Sequence, residues 1–204
     1  DEMGLEVPAG VVPELERLVA ELLRWNPRRN LTAITDRGDV LEKHLLDSLT
    51  LLPYARTSKR FLDIGSGAGF PALPLKIACP ELEVVSVDAV GKKIDFQKHV
   101  VRTLSLKGFT ALHARVESLL DLPGYSAGFD LVSARALCSL SDLVVLSQPY
   151  LAPGGCLVAM KGPEGHQEFE AVYERLQQDG WSVSFRSLFL PVSGAERCLI
   201  EVRR

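Results

Sequence analysis

The chain lacks any apolar run long enough to span a bilayer as a helix, and no secretory pattern opens it. A cytoplasmic protein is the expectation. It has only four cysteines, Cys79, Cys138, Cys156 and Cys198, without metal-ligand or Cys-x-x-Cys spacing. That excludes a zinc-ribbon or thioredoxin-like centre and predicts free, mostly buried thiols in a reducing compartment. It has no excess of one charge: 23 basic residues face 26 acidic ones, a net of -3. The balance does not mark a nucleic-acid binder, but local patches decide that question. Residues 24–43 carry net +2 and residues 91–107 net +4. There is no internal repeat, low-complexity tract or long polar linker, so residues 1–204 read as a single domain. The motifs of a serine-hydrolase elbow (GxSxG) and of a Walker phosphate loop are absent. The histidines, His44, His99, His113 and His166, sit in separate segments and give no metal constellation.

What is present divides into a helical preface, residues 1–55, and an alternating body. Residues 1–10 are expected to lie loosely over the body. Val11, Leu15, Leu18, Val19, Leu22 and Leu23 recur with helical spacing, and Asn26-Pro27 should end that helix. A second helix is expected over Val40–Leu52, with Asp39 as cap, Glu42 completing a capping-box variant and Pro53 at its end. Strands are predicted at 60–64, 83–87, 109–113, 129–133, 155–160, 183–190 and 197–203. Helices are predicted at 71–79, 91–105, 138–150 and 165–179. The first four strands are short and apolar, as in a parallel sheet covered on both faces. The last two have only a loop between them and should pair antiparallel. The fold class is α/β, a mostly parallel seven-stranded sheet with a terminal hairpin.

Phe61–Phe70 reads FLDIGSGAGF, a buried strand running into Gly65, Ser66, Gly67 and Gly69. Glycines there allow a tight turn and close approach of a ligand to the backbone. Asp88 ends the next strand, where a carboxylate can accept both hydroxyls of a ribose, and Ala89 follows it. Three readings are open: a methyltransferase, a dinucleotide enzyme or a structural loop. Phe70 stands where a dinucleotide fingerprint expects a small residue. Asp63 would repel a phosphate, whereas it suits the ammonium of a methionine tail, directly or through water. S-adenosylmethionine is therefore the favoured cofactor, with S-adenosylhomocysteine as its product. Arg115, Val116 and Glu117 follow the third strand, at the expected adenine edge. Arg135 ends the fourth and Lys161 the fifth, both on the rim where α/β sheets build their sites.

These pieces, in order, resemble one family. WNPRRNLTAI at 25–34, EKHLLDSL at 42–49, FLDIGSGAGFPALPLKI at 61–77, VSVDAVGKKIDF at 85–96, HARVESL at 113–119, LVSARA at 131–136, MKG at 160–162 and GAER at 194–197 are similar to elements of the glucose-inhibited division protein B family. The family comprises guanine-N7 methyltransferases of small-subunit ribosomal RNA. The resemblance implies a class I methyltransferase fold with residues 1–55 as a helical extension. The implied activity is methyl transfer to one guanosine of 16S ribosomal RNA, in its 530-loop region. The partner would be that RNA, within the small subunit or an assembly intermediate, and the chain is expected to be a monomer. Gly65, Phe70, Asp88, Val116, Glu117 and Arg135 match the family's cofactor and rim positions. Arg28, Arg29, Asn30, His44, Lys92, Lys93, Arg135, Lys161 and Arg197 are the candidates for the RNA side. Arg135, Lys161 and His44 are positioning candidates, and no general base is evident. Ala89, Lys93 and Met160 depart from the family's usual serine, arginine and leucine, with charge and apolar character kept. The rival readings are a methyltransferase for a small molecule or protein, and a noncatalytic adenosine-binding assembly factor.

Overall fold

The computed structural model describes residues 6–204. Residues 1–5, part of the segment expected to lie loosely, fall outside that range. Helix α1 covers Val12–Arg29 and buries Leu15, Leu18, Val19 and Leu22. It passes through Pro27 instead of ending there. Pro27 sits inside the last turn, and the helix stops three residues later at Asn30, with Asn26 holding the chain that leaves it. The buried Asn26 side chain accepts from the Leu31 and Thr32 amides at 2.8 and 2.9 Å and donates to the Thr32 carbonyl at 2.9 Å. Asn30, left-handed at φ 46°, closes the helix.

The second helical stretch begins earlier than its hydrophobic pattern suggests. It comprises α2 (Arg37–Val40), a π-helix (Leu41–Leu46) and α3 (Asp47–Leu49). Asp36, not Asp39, is the cap, accepting from the Asp39 amide. Asp39 instead pairs with Lys43 at 2.8 Å. Glu42 forms no capping box: its buried carboxylate accepts from the Val192 and Ser193 amides at 2.6 and 2.7 Å. A partner 150 residues away outcompetes the local one because it satisfies two backbone donors at once. Pro53 opens the short α4 (Leu52–Ala55) rather than ending a helix.

The seven strands are β1 (Arg60–Ile64), β2 (Glu83–Asp88), β3 (Phe109–His113), β4 (Phe129–Arg135), β5 (Leu151–Lys161), β6 (Ser182–Phe189) and β7 (Glu196–Arg203). Their order is β3-β2-β1-β4-β5-β7-β6. The first five run parallel, and β7 lies antiparallel between β5 and β6. Helices α5 (Ala72–Ala78), α6 (Gly91–Thr103), α7 (Leu140–Ser147) and α8 (Gly165–Gln178) complete the layers. Helix α7 is shorter than its sequence pattern, because Gln148–Tyr150 tightens into a 3-10 turn at Pro149. Strand β4 outruns its predicted end by two residues, so Arg135 still pairs with Met160.

Alternate residues of the strands feed two cores. Phe61, Val84, Leu131 and Val158 pack with α1, α5 and α6, while Leu62, Val85, Val132 and Leu157 pack on the other face with α7 and Trp181. Strand β1 sits where the order of connection reverses. The crevice beyond its carboxyl end is where an open α/β sheet binds ligands. Replacing Asn26 with alanine leaves two loop amides without their acceptor. Urea unfolding of Asn26→Ala is expected to show a loss of about 2 kcal/mol with an unchanged m-value.

Candidate active site

The carboxyl ends of β1, β2, β4 and β5, the start of β7 and the helical preface enclose one crevice of about 690 Å³. Its floor is the glycine turn. Gly65, Gly67 and Gly69 all have positive φ, at 66°, 59° and 91°. A Cβ on Gly67 would meet nothing nearer than Lys93 Nζ at 4.0 Å, so this stretch of backbone is open to a ligand. A Cβ on Gly69 would lie 2.6 Å from Leu73, so that glycine serves helix packing instead.

The turn is held from beneath. Buried Gln97 donates to Ser66 Oγ and to the Gly67 carbonyl, both at 2.8 Å, and accepts from Ser86 Oγ at 2.6 Å. Sequence reading passed over Gln97. Its signal was a polar residue on the apolar stripe of α6, three residues from both Ile94 and Val100. Asp88 lies at the end of β2, one oxygen accepting from the Gly67 amide at 2.8 Å and the other from the Val90 amide at 2.7 Å. Each oxygen keeps accepting capacity for a hydroxyl.

A smaller cavity of about 140 Å³ adjoins the crevice and shares Gly65, Asp88, Ala89 and Leu137 with it. Ala114, Arg115, Val116 and Glu117 line its far side. The predicted adenine-edge residues therefore meet the predicted ribose acceptor. Leu137 closes over Gly65 and was not anticipated, because loop residues carry no periodicity.

Asp63 is placed differently. It is fully buried under the turn, outside both cavity linings, accepting from the Ala72 amide at 3.2 Å and Ser133 Oγ at 3.3 Å. Burial pushes its carboxyl up to about 7, and neighbouring Asp88 adds to the shift. It braces α5 and β4 from below the crevice floor.

On the opposite wall, Arg135 and Arg197 grip the buried Asp47 carboxylate at 3.3 and 3.2 Å. Burial raises the Asp47 pKa and the two guanidinium groups oppose the rise. Arg135 also donates to the Lys43 carbonyl at 3.1 Å and to His44 Nδ1 at 3.2 Å. An arginine cannot accept, so Nδ1 is the unprotonated nitrogen. His44 Nε2–H then donates to Thr32 Oγ1 at 2.8 Å. The imidazole stacks on Phe70, with 5.1 Å between ring centroids. Burial, helped by Arg135, lowers the His44 pKa to about 4.

Lys161 lines the crevice, but its ammonium is committed to Glu168 at 2.9 Å and to the Cys138 carbonyl. Glu168 in turn accepts from the Leu140 amide at 2.6 Å, so Lys161 steadies the loop after β4. Lys43 and Lys93 reach the crevice lining, whereas Arg28, Arg29, Asn30 and Lys92 do not. Away from the crevice, His166, Glu196 and Cys198 bring possible metal-ligand atoms within 4.8 Å of one another. Taken one histidine at a time, the sequence did not reveal that grouping.

The architecture is shared with solved methyltransferases. An O-methyltransferase from Bacillus cereus in complex with SAH superposes with a TM-score of 0.63 at 16% identity, covering 92% of this chain and 91% of that one. A putative O-methyltransferase from Klebsiella pneumoniae gives 0.64 at 13%, covering 94% and 90%. Such identities speak to the fold alone. With an open glycine backbone beside a carboxylate at the end of β2, this is the class I methyltransferase fold. The profile of one family within the class, rRNA small subunit methyltransferase G, matches residues 12–195. Curated relatives described as ribosomal RNA small subunit methyltransferase G align over nearly the whole chain. The relative from Syntrophotalea carbinolica is 46% identical over 99% of this chain and 93% of its own, and that from Myxococcus xanthus 45% over 96% and 89%. The chain belongs to the rRNA small subunit methyltransferase G family.

Two outcomes follow from the geometry. Asp88→Asn would set an amide N–H against the Gly67 or Val90 amide. Calorimetric titration is expected to show cofactor affinity reduced at least about tenfold, corresponding to the loss of a charge-assisted contact; equal affinity would remove Asp88 from the ribose site. The second concerns pH. His44 has a lowered native pKa, so below about 6.5 the unfolded state takes up a proton first and stability falls toward pH 4. Asp63 has a raised native pKa, so its contribution is fullest below about 4 and is lost as pH rises to about 7. The slopes oppose each other. Without cofactor, Asp63→Asn should make unfolding free energy rise more steeply between pH 4 and 6.5, and His44→Gln should tilt it the other way.

Proposed function

We propose that this chain transfers the methyl group of S-adenosylmethionine to N7 of a guanosine in the 530-loop region of 16S ribosomal RNA. The observation that carries the reading is the two-sided crevice. One wall is the cofactor turn with Asp88, and the other is the group that joins His44 and Asp47 of the helical preface to Arg135 of β4 and Arg197 of β7. Family membership supplies the RNA substrate. The substrate form is the small subunit or an assembly intermediate, acted on by a monomer. Residues 1–204 form one methyltransferase domain, with residues 1–55 as the extension that faces RNA. Among the described residues no helix is long and apolar enough to cross a membrane, in keeping with work on the ribosome.

Gly65, Ser66 and Gly67 would hold the methionine end by their backbone, Asp88 and Ala89 the ribose, and Arg115, Val116 and Glu117 the adenine side. When bound, the cofactor supplies a methyl group on a positively charged sulfur. Guanine N7 carries an in-plane lone pair and no proton, so no base has to accept one. The chain's own polar groups agree with that requirement. Both nitrogens of His44 are engaged, and its lowered pKa keeps the ring neutral. His44 and Phe70 thus form a rigid, uncharged wall. Catalysis rests on positioning, in which a displacement near 1 Å can cost about 100-fold.

The guanine becomes cationic on methylation, so bare positive charge beside it would oppose the reaction. Asp47 tempers this by sharing its charge between Arg135 and Arg197. Arg135 and Arg197 then act at O6 or on phosphate oxygens, away from the developing charge. Lys161 acts through the loop it anchors.

Radiolabelled methyl transfer, followed by mapping of the modified base in 16S RNA and in 30S particles, tests the reading. A 7-methylguanosine in the 530 loop is expected, and transfer elsewhere or to neither substrate would overturn it. Arg135→Ala is expected to slow single-turnover transfer at least about tenfold. Unchanged rate and RNA affinity in that variant would release Arg135 from its role.

A further inference from the structure

A second cleft, of about 370 Å³, lies where the end of α1 meets α6. Arg24, Trp25, Arg28, Arg29 and His99 line it. Half-buried Trp25 packs edge-on against Phe96 at 5.7 Å between centroids and tilts onto His99 at 4.7 Å. The Arg29 guanidinium lies 5.8 Å from the Trp25 ring centroid. Glu21 neutralises part of the group, pairing with Arg24 at 2.5 Å and His99 at 2.7 Å. Among the described residues, no ion pair involves Arg28 or Arg29, and both are exposed. The cleft therefore offers two guanidinium groups without a carboxylate partner beside an indole held by Phe96 and His99, with the Arg29 guanidinium over its ring.

Its position ties it to the crevice twice over. Leu31, two residues beyond Arg29, lines the crevice, a chain span of at most about 7 Å. On α6, His99 of the cleft and Lys93 of the crevice are six residues apart, about 9 Å of helical rise. The two linings are thus joined by short stretches of backbone.

We propose that this cleft binds the RNA strand flanking the target guanosine, with Arg28 and Arg29 on phosphodiester oxygens and a flanking base taking the place of the Arg29 guanidinium on the Trp25 ring. The inference rests on the RNA-methylation reading and deepens it. Guanidinium forks match phosphate oxygens, whereas an aromatic face stacks any unpaired base. An acidic protein segment would satisfy the arginines but leave the indole platform without purpose. The cleft also answers a problem posed by the net charge of -3: phosphate binding has to be local.

The test uses the full chain, a transcript of the 16S 530-loop region and 30S particles lacking the methyl group. The double variant R28E/R29E should bind the transcript at least about tenfold more weakly at 0.1 M salt. The slope of log affinity against log salt should flatten by about 1.4, the counterion release of two phosphates on a single strand. The loss should appear in KM more than in kcat, with S-adenosylmethionine affinity unchanged. R28K/R29K should keep most of the binding, and Trp25→Leu should weaken it at similar salt slope. Affinity and slope equal to wild type for both probes would overturn the proposal. So would weakened binding to 30S alone with the transcript unaffected, which would assign the cleft to a ribosomal protein. Wild-type chain that methylates neither probe would overturn the RNA-methylation reading itself. An active wild type matched by an equally active R28E/R29E would overturn only the cleft.

Discussion

One buried carboxylate decides how the two halves of the molecule meet. Asp47, on α3, receives Arg135 from the end of β4 and Arg197 from the start of β7. An unpaired charge at that depth would cost several kcal/mol, so each of the three elements is locked to the other two. The consequence spreads outward. Arg135 reaches the Lys43 carbonyl and His44, His44 reaches Thr32, and Thr32 accepts from the Ile34 amide. A helical preface that could have packed anywhere along the sheet is thereby set opposite the glycine turn. Glu42 adds a second clamp, binding the hairpin loop at Val192 and Ser193.

The cofactor side is fixed by a different logic, in which side chains hold backbone rather than each other. Gln97 and Asp88 between them engage Ser66 and both the amide and carbonyl of Gly67. The turn is shaped before any ligand arrives, so little ordering entropy remains to oppose binding. The two walls thus differ in character. The floor is a preorganised backbone surface suited to a small zwitterion, and the preface is a charge-balanced surface suited to a nucleotide.

Much of this was legible in the sequence for local reasons. Strand and helix periods, Gly65-Ser66-Gly67-Ala68-Gly69 and the acid at the end of β2 each state their structure within a short window. The antiparallel hairpin was legible because no helix fits between Phe189 and Glu196. Boundaries failed where a distant partner overrode a local rule. Glu42 abandoned a capping box for a loop at the far end of the chain, while α1 ran on to Asn30 with Asn26 tying down the chain beyond it. Lys161 looked like a free rim cation, yet Glu168 and Cys138 absorb it. Asp63 looked like a ligand for an ammonium group, yet it lies below the floor.

The sequence by itself determined the sheet, the glycine turn, the acid at the end of β2 and the family, because those depend on patterns of neighbouring residues. Tertiary structure alone decided which charges are spent and which are available. Asp47, Glu42 and Glu168 find their partners 7 to 151 residues away. Arg28 and Arg29 pair with none of the described carboxylates. Ion pairing depends on distances of a few ångströms, and no one-dimensional spacing specifies such distances between segments far apart in the chain.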